Sequence, residues 1–326
     1  MTLHALAEPA PSWEPGSPSP VADPFTAARF GPPGGQPLSG GWAGRAPRWE
    51  AVVDVVRVAA VTLSSLVLGL TLNLVVASGV SQRAAQVRVF DQFRQELELG
   101  TAPVGPRAQG RPLAPGTPMA LLEVPSIGLE QVVGEGTTAG VLMTGPGHLP
   151  STVFPGGAGT SIILGRAAAY GGPFARIAEL RPGAKVVTVT GVGTSRFRVV
   201  DIRRAGGTIP ALKPGAGRIT LATATGSPYV PTGVVWVDAD LVGSVLPSEA
   251  PFSHVVAADE RPLAADTAAL GPLAAWLFVL AAVLALGTWV WHRKGRAQAW
   301  IVFSAPVIVI GYFITGHVAQ LLPNLT

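Results

Sequence analysis

Arg218-Ile-Thr-Leu-Ala-Thr-Ala-Thr225 is a strand-like run, and Gly233-Val-Val-Trp-Val237 follows it after a short loop. β-Branched and apolar residues dominate both, and residues two apart on a strand share a face. Ala224 therefore points away from the face shared by Thr223 and Thr225. A methyl group cannot attack a carbonyl, and the chain contains no cysteine. Thiolate chemistry is excluded. A further run, Arg196-Phe-Arg-Val-Val-Asp-Ile202, joins these two among Gly/Pro turns. That pattern predicts a mainly β barrel with short helices.

Upstream the chain reads Leu121-Leu-Glu-Val-Pro-Ser-Ile-Gly-Leu129, then Val133-Gly-Glu-Gly136 and Thr144-Gly-Pro-Gly-His148. Pro155-Gly-Gly-Ala-Gly-Thr160 and Ile163-Leu-Gly-Arg-Ala-Ala-Ala-Tyr-Gly-Gly-Pro-Phe174 follow, and Arg181-Pro-Gly183 precedes Val186-Val-Thr-Val189. Each fragment alone is a common turn or strand. In this order and spacing, over roughly residues 119–242, they resemble the sortase domain, the cysteine transpeptidase of Gram-positive cell surfaces. Within it the likeness is to the actinobacterial, class E-like group. The family pattern T-L-x-T-C falls on Thr220 to Ala224, and the run beginning R-[LI]-[VI]-V falls at Gly233. The pattern G-H-R-T-T-Y-G-x-P-F falls on Gly165 to Phe174, pinned by Gly165, Tyr170-Gly171 and Pro173-Phe174.

The resemblance implies a sortase-like β-barrel over residues 119–246. In the family a thiolate attacks the threonyl carbonyl of a sorting signal, a histidine handles protons and an arginine donates to the developing oxyanion. The matching positions here hold Ala224, Arg166 and Gly233, so all three catalytic identities depart together. Arg166 cannot replace a histidine as proton carrier, because guanidinium stays charged at physiological pH. Thr160 and the three alanines 167–169 depart from the pattern as well. The groove implied by the match is lined by Leu164, Tyr170, Thr223, Thr225 and Ser227, and is expected to be vacant. The helical spacing from Phe174 to Leu180 is compatible with one of the short helices.

A relocated hydroxyl nucleophile would need a neighbouring base. Thr223, Thr225 and Ser227, the last read as a loop residue, flank Ala224. His148 and His254 are the histidines of the same region. No spacing pairs them, and His148, after Gly-Pro-Gly, reads as a surface or turn residue.

Only 13% of the 326 residues are charged, which points to a membrane protein. Residues 58–80 are an uncharged run, long enough at about 1.5 Å per residue to cross roughly 30 Å of hydrocarbon. Its length and position mark an anchor rather than a cleaved signal. Residues 270–291 and 297–322 read as second and third transmembrane helices, joined by the basic loop His292-Arg-Lys-Gly-Arg296. The positive-inside rule puts that loop and the N-terminus in the cytoplasm and the barrel outside. Residues 1–50, rich in Pro and Gly, read as a disordered cytoplasmic tail. Residues 82–118 read as a juxtamembrane helix and linker: Gln86, Phe90, Phe93 and Leu97 recur at helical spacing before Gly100. Residues 247–269 read as a second linker. Gly287, Gly311 and Gly316 offer close approach to other membrane helices.

A net charge of +4 and a pI near 9.9 fit a protein lying against an anionic membrane and wall. The charges are too dispersed for nucleic acid, and no cofactor or metal-ligand motif is expected. The favoured reading is a multi-pass cell-membrane protein, catalytically inactive and sortase-like, serving as a binding or assembly module at the cell surface. Its expected partners are the membrane and a sorting-signal peptide, an active sortase or another envelope protein. The alternative is a cysteine-independent hydrolase or transpeptidase with a relocated nucleophile.

Overall fold

A computed structural model describes residues 48–108, 110–204, 206–250 and 256–326. One compact unit spans Val53–Thr326; of the other, Met1–Val52, only the helical residues 48–52 are described. Most of the stretch expected to be a disordered tail therefore lies outside the described residues, as does His254.

Ten strands form. β1 (Arg107–Ala108) and β2 (Arg111–Pro112) make a small ribbon inside the expected linker. The other eight are β3 (Pro118–Val124), β4 (Leu129–Glu135), β5 (Gly147–His148), β6 (Gly159–Leu164), β7 (Lys185–Thr190), β8 (Gly193–Arg203), β9 (Gly217–Ser227) and β10 (Val230–Leu241). They close into a barrel in the order β10-β8-β7-β3-β4-β5-β6-β9. The expected β-barrel is thus observed. Ile163, Phe154, Phe174, Phe197, Ile219, Leu221, Val235 and Val237 fill its interior.

β8 alternates buried and exposed residues through Ser195, Phe197 and Val199, as a strand with one wet face should. β9 is buried on both faces from Gly217 to Thr223. It lies parallel to β6, with Leu164 opposite Ala222, and antiparallel to β10, with Ala224 opposite Val234 and Thr225 opposite Gly233. Something must cover its outer face. The run 174–180 yields only a 3-10 turn, Ile177–Glu179.

Three helices among the described residues are long and apolar enough to cross a membrane. α1 (Arg48–Leu72) runs through a π-helical turn (Asn73–Ala77) into α2 (Ser78–Glu98), so the expected anchor and juxtamembrane helix are continuous. The widened turn lets the Leu74 carbonyl accept from Tyr229 (3.2 Å) as well as from Ser78 (2.7 Å). α2 then docks on the barrel. Gln86 exchanges hydrogen bonds with both backbone groups of Val132, and Phe93 is buried against Val132 and Ala102. A Cβ at Gly145 would lie 2.1 Å from the Gln86 amide nitrogen, so this contact requires glycine there.

α3 (Ala139–Leu142) is a single turn. α4 (Leu270–Lys294) and α5 (Arg296–Leu321) form a hairpin around Gly295, packed through Leu280, Ile310 and Ile314, with Trp276 stacked on Phe313 at 4.6 Å. Two of the glycines expected to serve outside partners are used within the chain. Gly287 faces the Phe303 ring and Gly311 faces Leu66 of α1. Exposed Val61, Leu68, Phe278, Ile301 and Ile308 suit hydrocarbon as solvent.

Candidate functional site

The end of β6, the second half of β9 and the start of β10 meet at one end of the barrel, which brings Arg166, Ala224 and Gly233 to one region. Pleating sorts β9: Ile219 and Leu221 face the interior, while Ala222 and Ala224 join an outer-face cluster. That cluster contains Leu142, Leu164 and Leu325, with Val234 and Trp236 of β10 packed against it. Gly165 turns the chain after β6, where a Cβ would lie 2.5 Å from Phe174 Cγ.

Arg166 is only 1% exposed. Its Nη1 donates to the Thr326 carbonyl (3.1 Å) and its Nη2 to the Ala139 carbonyl (3.3 Å). Its guanidinium lies 5.0 Å from the Tyr170 ring, and Nε has no hydrogen-bond partner. Burial pushes its pKa down to about 10, against a smaller opposing influence of Tyr170. It remains a cation at neutral pH. Tyr170, whose own pKa burial raises, adopts a left-handed backbone (φ 51°) and donates its N–H to Ser78 of α2.

Of the expected groove residues, Leu164 is buried in the outer-face cluster and Tyr170 beneath Arg166. Thr223 is buried, its hydroxyl donating to the Gly165 carbonyl at 2.7 Å. Thr225 is half-buried opposite Gly233, and Ser227 is exposed as the last residue of β9 rather than in a loop.

The groove is not vacant. The segment that follows α5 lies in it, with Asn324, Leu325 and Thr326 all buried. Leu325 enters the cluster that includes Ala224, and its carbonyl accepts the Ala167 N–H at 2.8 Å. The Asn324 N–H donates to the Ala264 carbonyl (2.9 Å), and its side-chain amide donates to the carbonyls of Thr137 (3.1 Å) and Arg261 (3.0 Å). The vacancy expected from the sequence is thus corrected: the segment after the last apolar helix fills the groove. Extended Leu322 and then Pro323 end α5, and the turn from Pro323 to Thr326 lies on the barrel.

His148 corrects another expectation. It is fully buried rather than at the surface, in β5 opposite Ile163 and Glu135. Its Nδ1 lies 3.0 Å from Glu135 Oε2, and its Nε2 lies 3.1 Å from both the Val153 carbonyl and Thr152 Oγ1. Sequence reasoning assigned no role to Thr152 or to Glu135, although Glu135 lies in the quoted run Val133–Gly136. A threonine, a histidine and a glutamate in line resemble a nucleophilic relay. Proton accounting argues otherwise. The Val153 carbonyl only accepts, so Nε2 carries a hydrogen. The Thr152 hydroxyl donates to the Leu149 carbonyl (2.7 Å) and accepts from the Ile162 N–H. The hydroxyl has no base facing it, and the trio staples the β5–β6 loop.

A cavity of about 390 Å3 lies where α2, α5 and the site loops meet, with Ser78, Arg88, Met143, Tyr170, Phe313 and His317 among its lining.

Residues 122–239 match the family model described as the sortase domain. Among solved structures, a Clostridium perfringens sortase D5 transpeptidase is 20% identical, covering 49% of this chain and 99% of that one, with a TM-score of 0.41. Sortase E1 from Streptomyces coelicolor is 23% identical, covering 41% and 93%, with a TM-score of 0.36. Sortase A from Corynebacterium diphtheriae is 22% identical, covering 49% and 85%, also at 0.36. No curated protein matches the chain. The barrel is a sortase-like domain.

Proposed function

We propose that this sortase-like membrane protein is catalytically inactive and acts as a binding or assembly module at the surface of a Gram-positive cell. The observation that carries the reading is Ala224, on the outer face of β9 at the position the family pattern gives to its nucleophile, in a chain without cysteine. Arg166 and Gly233 at the other two catalytic positions support it. A guanidinium that stays charged and bonded to two carbonyls cannot shuttle protons. What a folded barrel without reactive groups retains is a surface. Its partners are a sorting-signal-like peptide, an active sortase or another envelope protein. In the test, the purified full chain is incubated in detergent with sorting-signal peptides. No cleavage or transfer above a heat-inactivated control is expected, and measurable turnover would overturn the reading.

The domain layout carried forward is a tail over 1–50, spans at 58–80, 270–291 and 297–322, connecting segments over 82–118 and 247–269, and the barrel over 119–246, with the barrel outside and the N-terminus inside. The hairpin supports this: α4 leaves the barrel, and the segment after α5 returns to it. Because the chain lacks cysteine, single introduced thiols report cleanly. Ser227→Cys is expected to react with a membrane-impermeant maleimide in intact cells, and Lys294→Cys only after lysis. The reverse pattern would invert the topology.

A further inference from the structure

We propose that the outer-face groove is a peptide site occupied in cis by the chain's own segment Leu322–Thr326, with Arg166 as the clamp that holds it. The barrel closes through eight strands without this segment, which reaches the groove only by way of α5. It behaves as a ligand on a tether. Its backbone leaves α5 extended at Leu322 (φ −73°, ψ 155°) and then closes a turn, the Thr326 N–H donating to the Pro323 carbonyl at 3.1 Å. One apolar side chain, Leu325, enters the cluster around Leu142, Leu164 and Ala222. The polar side chain before it, Asn324, satisfies loop carbonyls at Thr137 and Arg261. Backbone pairing with Ala167 and Ala264 fixes the register.

Arg166 explains why a long cation suits the position that the family gives to histidine. Its two terminal nitrogens reach in different directions, one to α3 at Ala139 and one to Thr326. An imidazole spans less and cannot serve both carbonyls. Withdrawal of the segment strips Arg166 of one of its two hydrogen-bond acceptors and uncovers the Ala222–Ala224 face. Any outside peptide therefore competes with a resident one whose effective concentration is set by its tether. α5 also carries Thr315, which accepts from Asn73 of the π-helical turn, so the helix that delivers the segment is itself tied to the anchor. Groove occupancy is coupled to the position of α5.

The test places a single thiol in the groove of the full-length chain by Ala224→Cys and measures its rate of reaction with a small methanethiosulfonate in detergent. With the segment in place the thiol reacts slowly. Adding Leu325→Asp is expected to raise the rate at least tenfold, and Asn324→Ala, which keeps the apolar contact, to raise it by a smaller factor. The five-residue amide Leu-Pro-Asn-Leu-Thr, added to the Leu325→Asp variant, is expected to slow the reaction again, an effect an unfolded barrel would not give. Equal rates with and without Leu325→Asp, a single-thiol chain that already reacts like a free thiol, or no effect of the peptide would each overturn the proposal. These rates do not depend on turnover or on any partner, so a failure of the inactive-module reading would leave them unchanged.

Discussion

Asp238→Ala is expected to destabilise the barrel by about 3–5 kcal/mol, the usual cost of removing one partner from a buried charge pair. Asp238 is fully buried in β10, between β8 and β9. Its carboxylate accepts from Arg203 Nε at 2.6 Å and from the Thr220 hydroxyl at 2.6 Å. Arg203, mostly buried and 5.2 Å from the Trp236 ring, would be left a cation without its carboxylate. Thr220 would lose its acceptor in the same step. The neighbouring pair is the control. Asp240 is 40% exposed at its side chain, and its partner Arg218 also donates to the Pro210 and Ala211 carbonyls. Arg218 is itself buried but keeps those two carbonyl acceptors, so Asp240→Ala is expected to cost about 1–3 kcal/mol, less than Asp238→Ala. For a domain of this size the first change lowers the thermal midpoint by about 10–20 °C. Equal midpoints for the two variants in detergent would show that the Asp238 network holds nothing the rest of the strand pairing does not.

Restoring Arg166→His, Ala224→Cys and Gly233→Arg together is expected to leave a folded barrel with no measurable transpeptidation. Two opposing quantities decide the stability. Burial holds the Arg166 pKa down, so keeping this charge inside the fold is a cost to the folded state. Its removal relieves that cost but leaves the Thr326 and Ala139 carbonyls without their donors, at about 1–3 kcal/mol each. The two act in opposite directions, so the barrel is expected to stay folded and to melt cooperatively. The other two sites tolerate the change. Ala224 is half-buried, and a Cβ at Gly233 would meet only the Thr225 hydroxyl, at an acceptable 3.4 Å. Chemistry should not return. An active site needs its groups held within about half an ångström, and here Leu325 packs in the cluster that contains Ala224. The readouts are the melt, peptide turnover and the reaction rate of the introduced thiol. Turnover from the triple variant would show that three identities alone had silenced the site. Unfolding would show that Arg166 contributes more than its two hydrogen bonds account for.

Much of this molecule is legible in one dimension because the signals are local. Uncharged runs of about twenty residues announce the three helices long and apolar enough to cross a membrane, and Gly/Pro turns between β-branched runs announce the barrel strands. The order of the motifs from Leu121 to Val237 aligns Arg166, Ala224 and Gly233 before any coordinates exist, and the absence of cysteine excludes thiolate chemistry outright. Of Gln86, Phe90, Phe93 and Leu97, which share a helical spacing, Gln86, Phe93 and Leu97 meet the barrel while Phe90 stays exposed.

What only the tertiary structure decided are contacts between residues far apart in the chain. Arg166 and Thr326 are 160 residues apart, and Asn324 reaches Thr137 across 187. Pro-Asn-Leu-Thr after an apolar helix has no periodicity by which to be read as a groove occupant. His148 meets Glu135 because β4 and β5 run parallel in one register, which a Gly-Pro-Gly-His string does not encode. Of the three glycines expected to serve partners, Gly287 and Gly311 are met by Phe303 and Leu66 of the same chain. Hydropathy and turn chemistry are properties of neighbouring residues. Which side chain fills a given concavity depends on where distant segments arrive, and that is set only once the barrel and its helices have closed on one another.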